Sequence, residues 1–275
     1  FREYLRLVEG LLPKCVVIEN VPGMNSIENG TAVKEIDRGL TGLGYNVDVA
    51  LLKAEEYGVA QERRRLFFIG NRVGEDIMFP TPTHGRGLLP YVTVWDAISD
   101  LPPLENGEGN EATDYILPPQ SEYQRATRHS SQNVLNHVAP SLGPINLERL
   151  KHIPEGGSWR DIPMELLPAG MKLAKRSDHT KRYGRLHREG FASTILTKCD
   201  PHWGAFFHPT QDRVITVREA ARLQGFPDRI KFKGNRAEQY KQVGNAVPVL
   251  LSAAVAKMMH RTLSEHYGTE GSHAI

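Results

Sequence analysis

Phe1, Tyr4, Leu5, Val8 and Leu12 recur at three- and four-residue intervals, the spacing of an amphipathic helix, and Pro13 stops it. An apolar run from Cys15 to Ile18 follows and breaks at Glu19-Asn20-Val21-Pro22-Gly23. Such a run predicts a strand covered on both faces, as in a parallel sheet. Val33, Ile36, Leu40 and Leu43 predict a second helix, closed by Gly44. Tyr45, Val47, Val49 and Leu51 alternate with Asn46 and Asp48, the two-residue period of a strand. A short connection then leads through Gln61-Glu62-Arg63-Arg64-Arg65 into the apolar segment Leu66–Gly70. Helix, strand, helix, strand, strand predicts an α/β fold: the second half of a doubly wound, Rossmann-like sheet with a hairpin at its edge.

The texture changes after residue 71. Pro80, Pro82, Gly85, Gly87, Pro90, Pro102, Pro103, Pro118 and Pro119 interrupt any long periodicity, and one short helix stands out at Val94–Asp100, with Thr93 and Asp96 as its capping box. Residues 72–212 therefore predict a loop-rich domain that presents a surface rather than building a core. Order returns at Thr216, an N-cap with Glu219 at the capping-box position, for a helix ended by Gly225. Gln242-Val243-Gly244-Asn245-Ala246-Val247-Pro248 precedes a last helix of small and apolar residues that suits packing on a sheet. Three segments are expected: 1–71 in the α/β domain, 72–212 as the loop-rich domain, and 213–275 returning to the first.

Composition adds limits. The 275 residues suffice for one large domain or two modest ones. No apolar run approaches the roughly 20 residues of a membrane span, so no membrane partner is expected. A net charge of +2 means that any nucleic-acid surface is a local patch. The two cysteines, Cys15 in a strand and Cys199 in a polar loop, have no C-x-x-C spacing. Structural zinc and a disulfide scaffold are disfavoured, and a reducing, intracellular compartment is the expectation.

Certain positions carry candidate chemistry. Glu19 and Asn20 stand where a parallel strand ends, the place at which chemistry gathers in open α/β sheets, and equally where turn formers belong. As an extended strand, Gln61, Arg63 and Arg65 share one face. They form either a donor strip for a planar acceptor or phosphate, or a salt-bridged surface. Lys172, Lys175, Arg176, Lys181, Arg182, Arg185 and Arg188 make the densest basic cluster, interleaved with His179, Tyr183 and His187. That cluster is either a solvated face or a phosphate-contacting segment. Gly244-Asn245, read as the start of the last helix, is either a simple N-cap or a cradle for a carboxylate.

Together these elements resemble one family, the DNA cytosine-5 methyltransferases. Ile18-Glu19-Asn20-Val21-Pro22-Gly23 resembles its Glu-Asn-Val element, and Tyr57-Gly58-Val59-Ala60-Gln61-Glu62-Arg63-Arg64-Arg65 its Gln-x-Arg-x-Arg element. Thr194-Ile195 resembles the Thr-aliphatic pair of the target-recognition region. Residues 213–228, from Arg213 to Asp228, resemble the long penultimate motif, and Gln242–Pro248 the last one. All five stand in family order.

The resemblance implies a partial S-adenosylmethionine-dependent methyltransferase sheet with a target-recognition domain, acting on double-stranded DNA. A cytosine flipped out of the duplex is attacked at carbon 6 by a thiolate, which makes carbon 5 nucleophilic toward the methyl group of S-adenosylmethionine. Glu19 would hold the N3 edge of the ring and Arg65 or Arg63 the base, with Asn20 and Gln61 in support. Asn245 and Val247 would line the cofactor pocket. Lys175, Arg176, Lys181, Arg182, Arg185, Arg188 and Thr194 would meet DNA, while Arg218 and Gln224 would be structural.

The family's Phe-x-Gly-x-Gly cofactor loop and Pro-Cys-Gln nucleophile loop precede its Glu-Asn-Val element, and neither occurs in this sequence. The expectation is a carboxyl-terminal portion that is active only with an amino-terminal segment or subunit. It would work in the cytoplasm or nucleoid of a bacterium, or in a eukaryotic nucleus. A non-catalytic DNA-recognition subunit and an RNA cytosine methyltransferase are the alternatives.

Overall fold

A computed structural model describes residues 1–25, 30–175 and 177–268. In chain order the elements are α1 (Arg2–Leu11), β1 (Cys15–Asn20), α2 (Thr31–Gly42), β2 (Asn46–Lys53), β3 (Arg64–Asn71), α3 (Val94–Ile98), β4 (Gly109–Thr113), α4 (Glu122–Arg128), β5 (Val134–Val138), α5 (Pro144–Lys151), α6 (Ala169–Lys172), β6 (Gly184–Arg185), β7 (Ala205–Phe207), α7 (Val217–Leu223), α8 (Arg236–Asn245) and α9 (Val249–Tyr267). They group into two compact units. One holds Phe1–Tyr57, Arg63–Thr83 and the segment from Leu250 onward; the other holds Gly58–Glu62 and His84–Val249.

In the first unit the strands follow the order β1-β3-β2, and β3 is antiparallel to both neighbours. The parallel strand expected at Cys15–Ile18 therefore pairs antiparallel, and the strand expected at the edge stands in the middle of these three. Chain connectivity explains it. β1 and β2 run the same way across helix α2, whereas the short link from Lys53 to Arg64 can only bring the chain back antiparallel. Burial agrees: every residue of β3 from Leu66 to Asn71 is buried, while β1 and β2 are mostly half-covered.

One face of this sheet, with Val16, Leu66 and Phe68, packs with Val8 of α1 and Ile36 and Leu40 of α2. On the other face, Cys15 and Ile69 share a small cavity with Met258 and Thr262 of α9. Residues 236–267 contain a stretch of 18 residues with a mean hydropathy of 1.2, long and apolar enough for a membrane crossing. Here they form two helices interrupted at Ala246-Val247-Pro248, and α9 buries Leu251, Val255, Met258 and Thr262.

The second unit departs furthest from expectation. It holds the larger apolar core, built on Val94, Ala97, Ile98, Leu150, Ile195, Phe206, Phe207, Ala220, Leu223 and Val243. Loop-rich texture did not preclude a core, because segments separated by prolines each contribute a few residues to it. Residues 213–249, expected to return to the sheet, lie within this unit, and the chain re-enters the first at Leu250. The Thr93 and Thr216 capping boxes form as expected. Gly225, with φ 86°, follows the helix that Thr216 starts.

Candidate active site

Strand register brings two of the expected residues together. Glu19 lies opposite Phe67, so Arg65, two residues back along β3, is its diagonal neighbour on the same face. Glu19 Oε1 stands 2.6 Å from Arg65 Nε, with 26% of the Glu19 side chain and 11% of the Arg65 side chain accessible. Burial lowers the pKa of Arg65, and the Glu19 charge opposes that shift. Arg63 is deeper still. Burial, then the charge of Arg65, pull its guanidinium down to about 10 against the pull of Glu19. Entry into the strand is held by Glu55, whose Oε2 accepts from the Arg63 backbone N–H at 3.3 Å, and by the Ala54 N–H donating to the Arg63 carbonyl at 2.9 Å. Asn20 serves the chain itself: its Oδ1 accepts from the Val21 N–H at 2.8 Å and shapes the break after β1.

The Gln61–Arg65 segment is not one extended strand. β3 begins only at Arg64, and Gln61 makes an isolated bridge with Ala192 within the second unit. Its buried amide is saturated there. Nε2 donates to Leu223 O at 3.2 Å and to Gln224 Oε1, and Oε1 accepts from the Ile195 N–H at 2.8 Å. Gln224 continues the network to the carbonyls of Val243 and Ala246, at 3.0 and 2.8 Å. Gln61, expected beside the base, is thus a tie between segments, and Gln224 is structural as expected. Thr194 is tied as well, its hydroxyl donating to Glu62 O at 2.8 Å.

Gly244-Asn245 closes α8 instead of opening the last helix, so the expected helix N-terminal cradle is not what these residues form. Gly244 has a packing reason instead. A Cβ there would come within 2.4 Å of the Leu196 backbone, so only glycine permits this approach. Asn245 is exposed in a shallow cavity with Lys233, Lys241 and Gln242, and Val247 is half-buried. An amide and an isopropyl group fit one wall of a cofactor site.

The basic cluster does not act as a unit. Arg185 is buried, and its guanidinium donates to the carbonyls of Ile153, Leu150, His208 and Gln211 and to Asp212. Expected at DNA, it braces the interior instead, because folding placed its fork among buried backbone carbonyls and beside Asp212. Arg188 lies 3.0 Å from Glu155, and Lys181 3.8 Å from Glu62. Arg182 covers the Trp203 ring, 5.0 Å from its centroid. Lys175 is exposed, and Arg176 lies outside the described residues. Cys199, expected in a polar loop, is buried, and burial pushes its thiol pKa up; the same cause raises that of Cys15.

Sequence reasoning missed a buried ionic framework. Arg213 grips Glu219 through two bonds of 2.8 and 2.7 Å. Arg222 bridges Asp100 and Asp228 at 2.8 and 2.6 Å. Arg218 donates to Leu135 O at 2.8 Å and to Ile230 O at 2.5 Å. Burial alone would raise the pKa of Glu219, but Arg213 outweighs it and holds the carboxyl well below the usual range. His208, 3.6 Å from Glu219, is driven by burial to about 4. The available signal is Arg218 and Arg222 one turn apart, with Glu219 between them, on a helix otherwise of Val, Ala and Leu.

Comparison with known proteins matches this geometry to a family. The model of the C-5 cytosine-specific DNA methylase family matches residues 1–261. The chain is 34% identical over 302 residues to DNA (cytosine-5)-methyltransferase 1A of Oryza sativa subsp. japonica, covering 94% of this chain and 20% of that protein. With the type II methyltransferase M.AgeI of Thalassovita gelatinovora the identity is 30%, over 95% of this chain and 76% of the relative. The chain thus spans about one fifth of the first relative and about three quarters of the second. In fold it is similar to the crystal structure of a DNA modification methyltransferase encoded in an Escherichia coli prophage, with a TM-score of 0.71 at 24% identity over 95% of this chain and 73% of that one. The chain belongs to the C-5 cytosine-specific DNA methylase family.

Proposed function

We propose that this chain is the base-holding part of a DNA cytosine-5 methyltransferase, and that the attacking thiolate comes from residues outside these 275. The observation that carries this reading is the Glu19–Arg65 contact of 2.6 Å at the end of β1, with Arg63 buried behind it. A carboxyl group and a guanidinium side by side match the N3 edge and the carbonyl oxygen of cytosine, one holding a proton and the other donating to an acceptor. Glu19, in its protonated form, gives or shares its proton with N3 as negative charge builds on the ring, and Arg65 fixes the orientation of both. Arg63 adds positive potential to the same face. S-adenosylmethionine, with Asn245 and Val247 forming part of its wall, supplies the methyl group. Neither cysteine suits the nucleophile's role, since a thiol raised by burial is a poor source of thiolate. Lys175, Lys181, Arg182, Arg188 and Thr194 remain the proposed DNA-facing residues of the second unit.

Methyl transfer from labelled S-adenosylmethionine to duplex DNA tests this directly. The chain alone should transfer nothing, and activity should appear when an amino-terminal segment carrying a Pro-Cys-Gln loop is joined to it. In the joined enzyme Glu19→Gln should slow transfer by about 10²- to 10⁴-fold. Transfer by the chain alone would refute the external thiolate, and an unaffected Glu19→Gln enzyme would refute the base-holding role.

A further inference from the structure

The second unit holds a cavity of about 400 Å³ lined by Ser177, His179, Thr180, Lys181, Arg182 and Trp203. Trp203 is its aromatic wall, and 57% of that residue is exposed, far more than an indole ordinarily leaves to water without a use. The ring is held in place. The Trp203 backbone N–H donates to Asp200 O at 2.9 Å, and the indole itself is flanked by His202, edge-on with centroids 5.1 Å apart, and by Arg182, 5.0 Å from the ring centroid. The two segments that form the cavity are joined at its base. The Tyr183 N–H donates to Pro201 O at 2.7 Å, and β6 pairs with β7 directly behind.

A rigid, exposed indole beside a lysine and an arginine suits a ligand with both a flat π-face and negative charge. A methylated ammonium, the other usual guest of an aromatic wall, would meet Lys181 and Arg182 and be repelled. Asp178 and Asp200 flank the cavity, and they accept hydrogen bonds from their own loops: from the Lys175 N–H and Ser177 hydroxyl for Asp178, and from the His202 N–H for Asp200. Lys181 meets Glu62 only at 3.8 Å, with both side chains more than half accessible, so an incoming phosphate can compete for it. The volume suits one nucleotide.

Resting on the methyltransferase reading above, we propose that this cavity takes one unstacked nucleotide of the bound DNA. Its base stacks on Trp203, and its phosphate is held by Lys181 and Arg182. The site is built wholly from the second unit and is a different place from the Glu19–Arg65 pair.

Fluorescence titration of the full chain separates the possibilities. Trp159 is buried and Trp95 half-buried, so the red-shifted emission belongs to Trp203. Titration with a duplex carrying one bulged nucleotide should quench it and give about tenfold tighter binding than the perfect duplex. Trp203→Ala should abolish that preference and Trp203→Phe should largely keep it, with the circular dichroism spectrum unchanged in both. Equal binding of bulged and perfect duplex by the wild-type chain would overturn the cavity's role and leave the methyltransferase reading standing. Quenching by a free mononucleotide without a bulge preference would make the cavity a free-nucleotide site, against the proposal. Binding to no DNA at all would overturn both.

Discussion

Two sets of arginines carry opposite burdens in this chain. Arg65 on the sheet pairs with Glu19, a carboxylate that stays a quarter accessible to water, and Arg63 is buried near both. Arg213, Arg218 and Arg222 of the second unit are fully buried among Glu219, Asp100, Asp228 and backbone carbonyls. Residue type does not distinguish them; the number of acceptors around each fork does. Where acids and carbonyls take up most of its N–H groups, the guanidinium is a structural rivet. Where one guanidinium, that of Arg65, meets one carboxylate that stays partly accessible, the pair can still meet a ligand.

The contrast breaks most visibly at the rivets. Arg222→Met leaves Asp100 with Arg128 and Asp228 with Arg218 and the Tyr115 hydroxyl, both carboxylates still buried, and should cost about 3 kcal/mol or more in a urea melt. A loss below about 1 kcal/mol would mean that the framework is less tightly coupled than its geometry indicates.

Acid should find the same framework. His208 stays neutral in the fold down to about 4, while the unfolded chain takes up its proton near the ordinary 6.5. Between those values the unfolded state binds more protons, so the His208 contribution falls as pH drops from about 6.5 to about 4 and levels off below, where protonation of Glu219 carries the loss further. The full loss is on the order of 3 kcal/mol. Urea midpoints measured across that interval should slope for the wild-type chain and flatten for His208→Asn.

Gln61 sharpens the comparison at an intermediate scale. Gln61→Leu strands the Ile195 N–H and the Leu223 carbonyl in the interior, and should lower stability by about 1–3 kcal/mol. A change within about 0.5 kcal/mol would show that its amide is not a tie.

The smallest stability effect is expected at the site itself. Glu19→Gln removes a partly exposed ion pair and should move the melting midpoint by less than about 1 kcal/mol, although methylation by the joined enzyme depends on it. A large destabilisation there would place Glu19 among the rivets and remove the basis of the contrast.

Local chemistry explains what could be read in advance. The helices after Phe1, Thr93 and Thr216, the strands at Cys15, Asn46 and Leu66, and the capping boxes depend on neighbours within a few residues, so periodicity and cap residues found them. Glu19 and Arg65 were marked because an acid at a strand end and an arginine in a short motif are local patterns too. Arg185 misled for the converse reason. Inside a basic run it looks like its neighbours, and only packing against Leu150, Ile153 and His208 turned its donors inward.

The sequence by itself determined the α/β elements, the ordered family motifs and the identity of the acid and the arginines. Tertiary structure decided what each was for. Strand direction set Arg65 diagonally against Glu19, the second unit drew Gln61 into a saturated network, and Gly244-Asn245 became the end of a helix instead of its start. The physical reason is common to all of these. A side chain's donors and acceptors are satisfied by partners distant in sequence, and which partners arrive is settled only when the chain has packed.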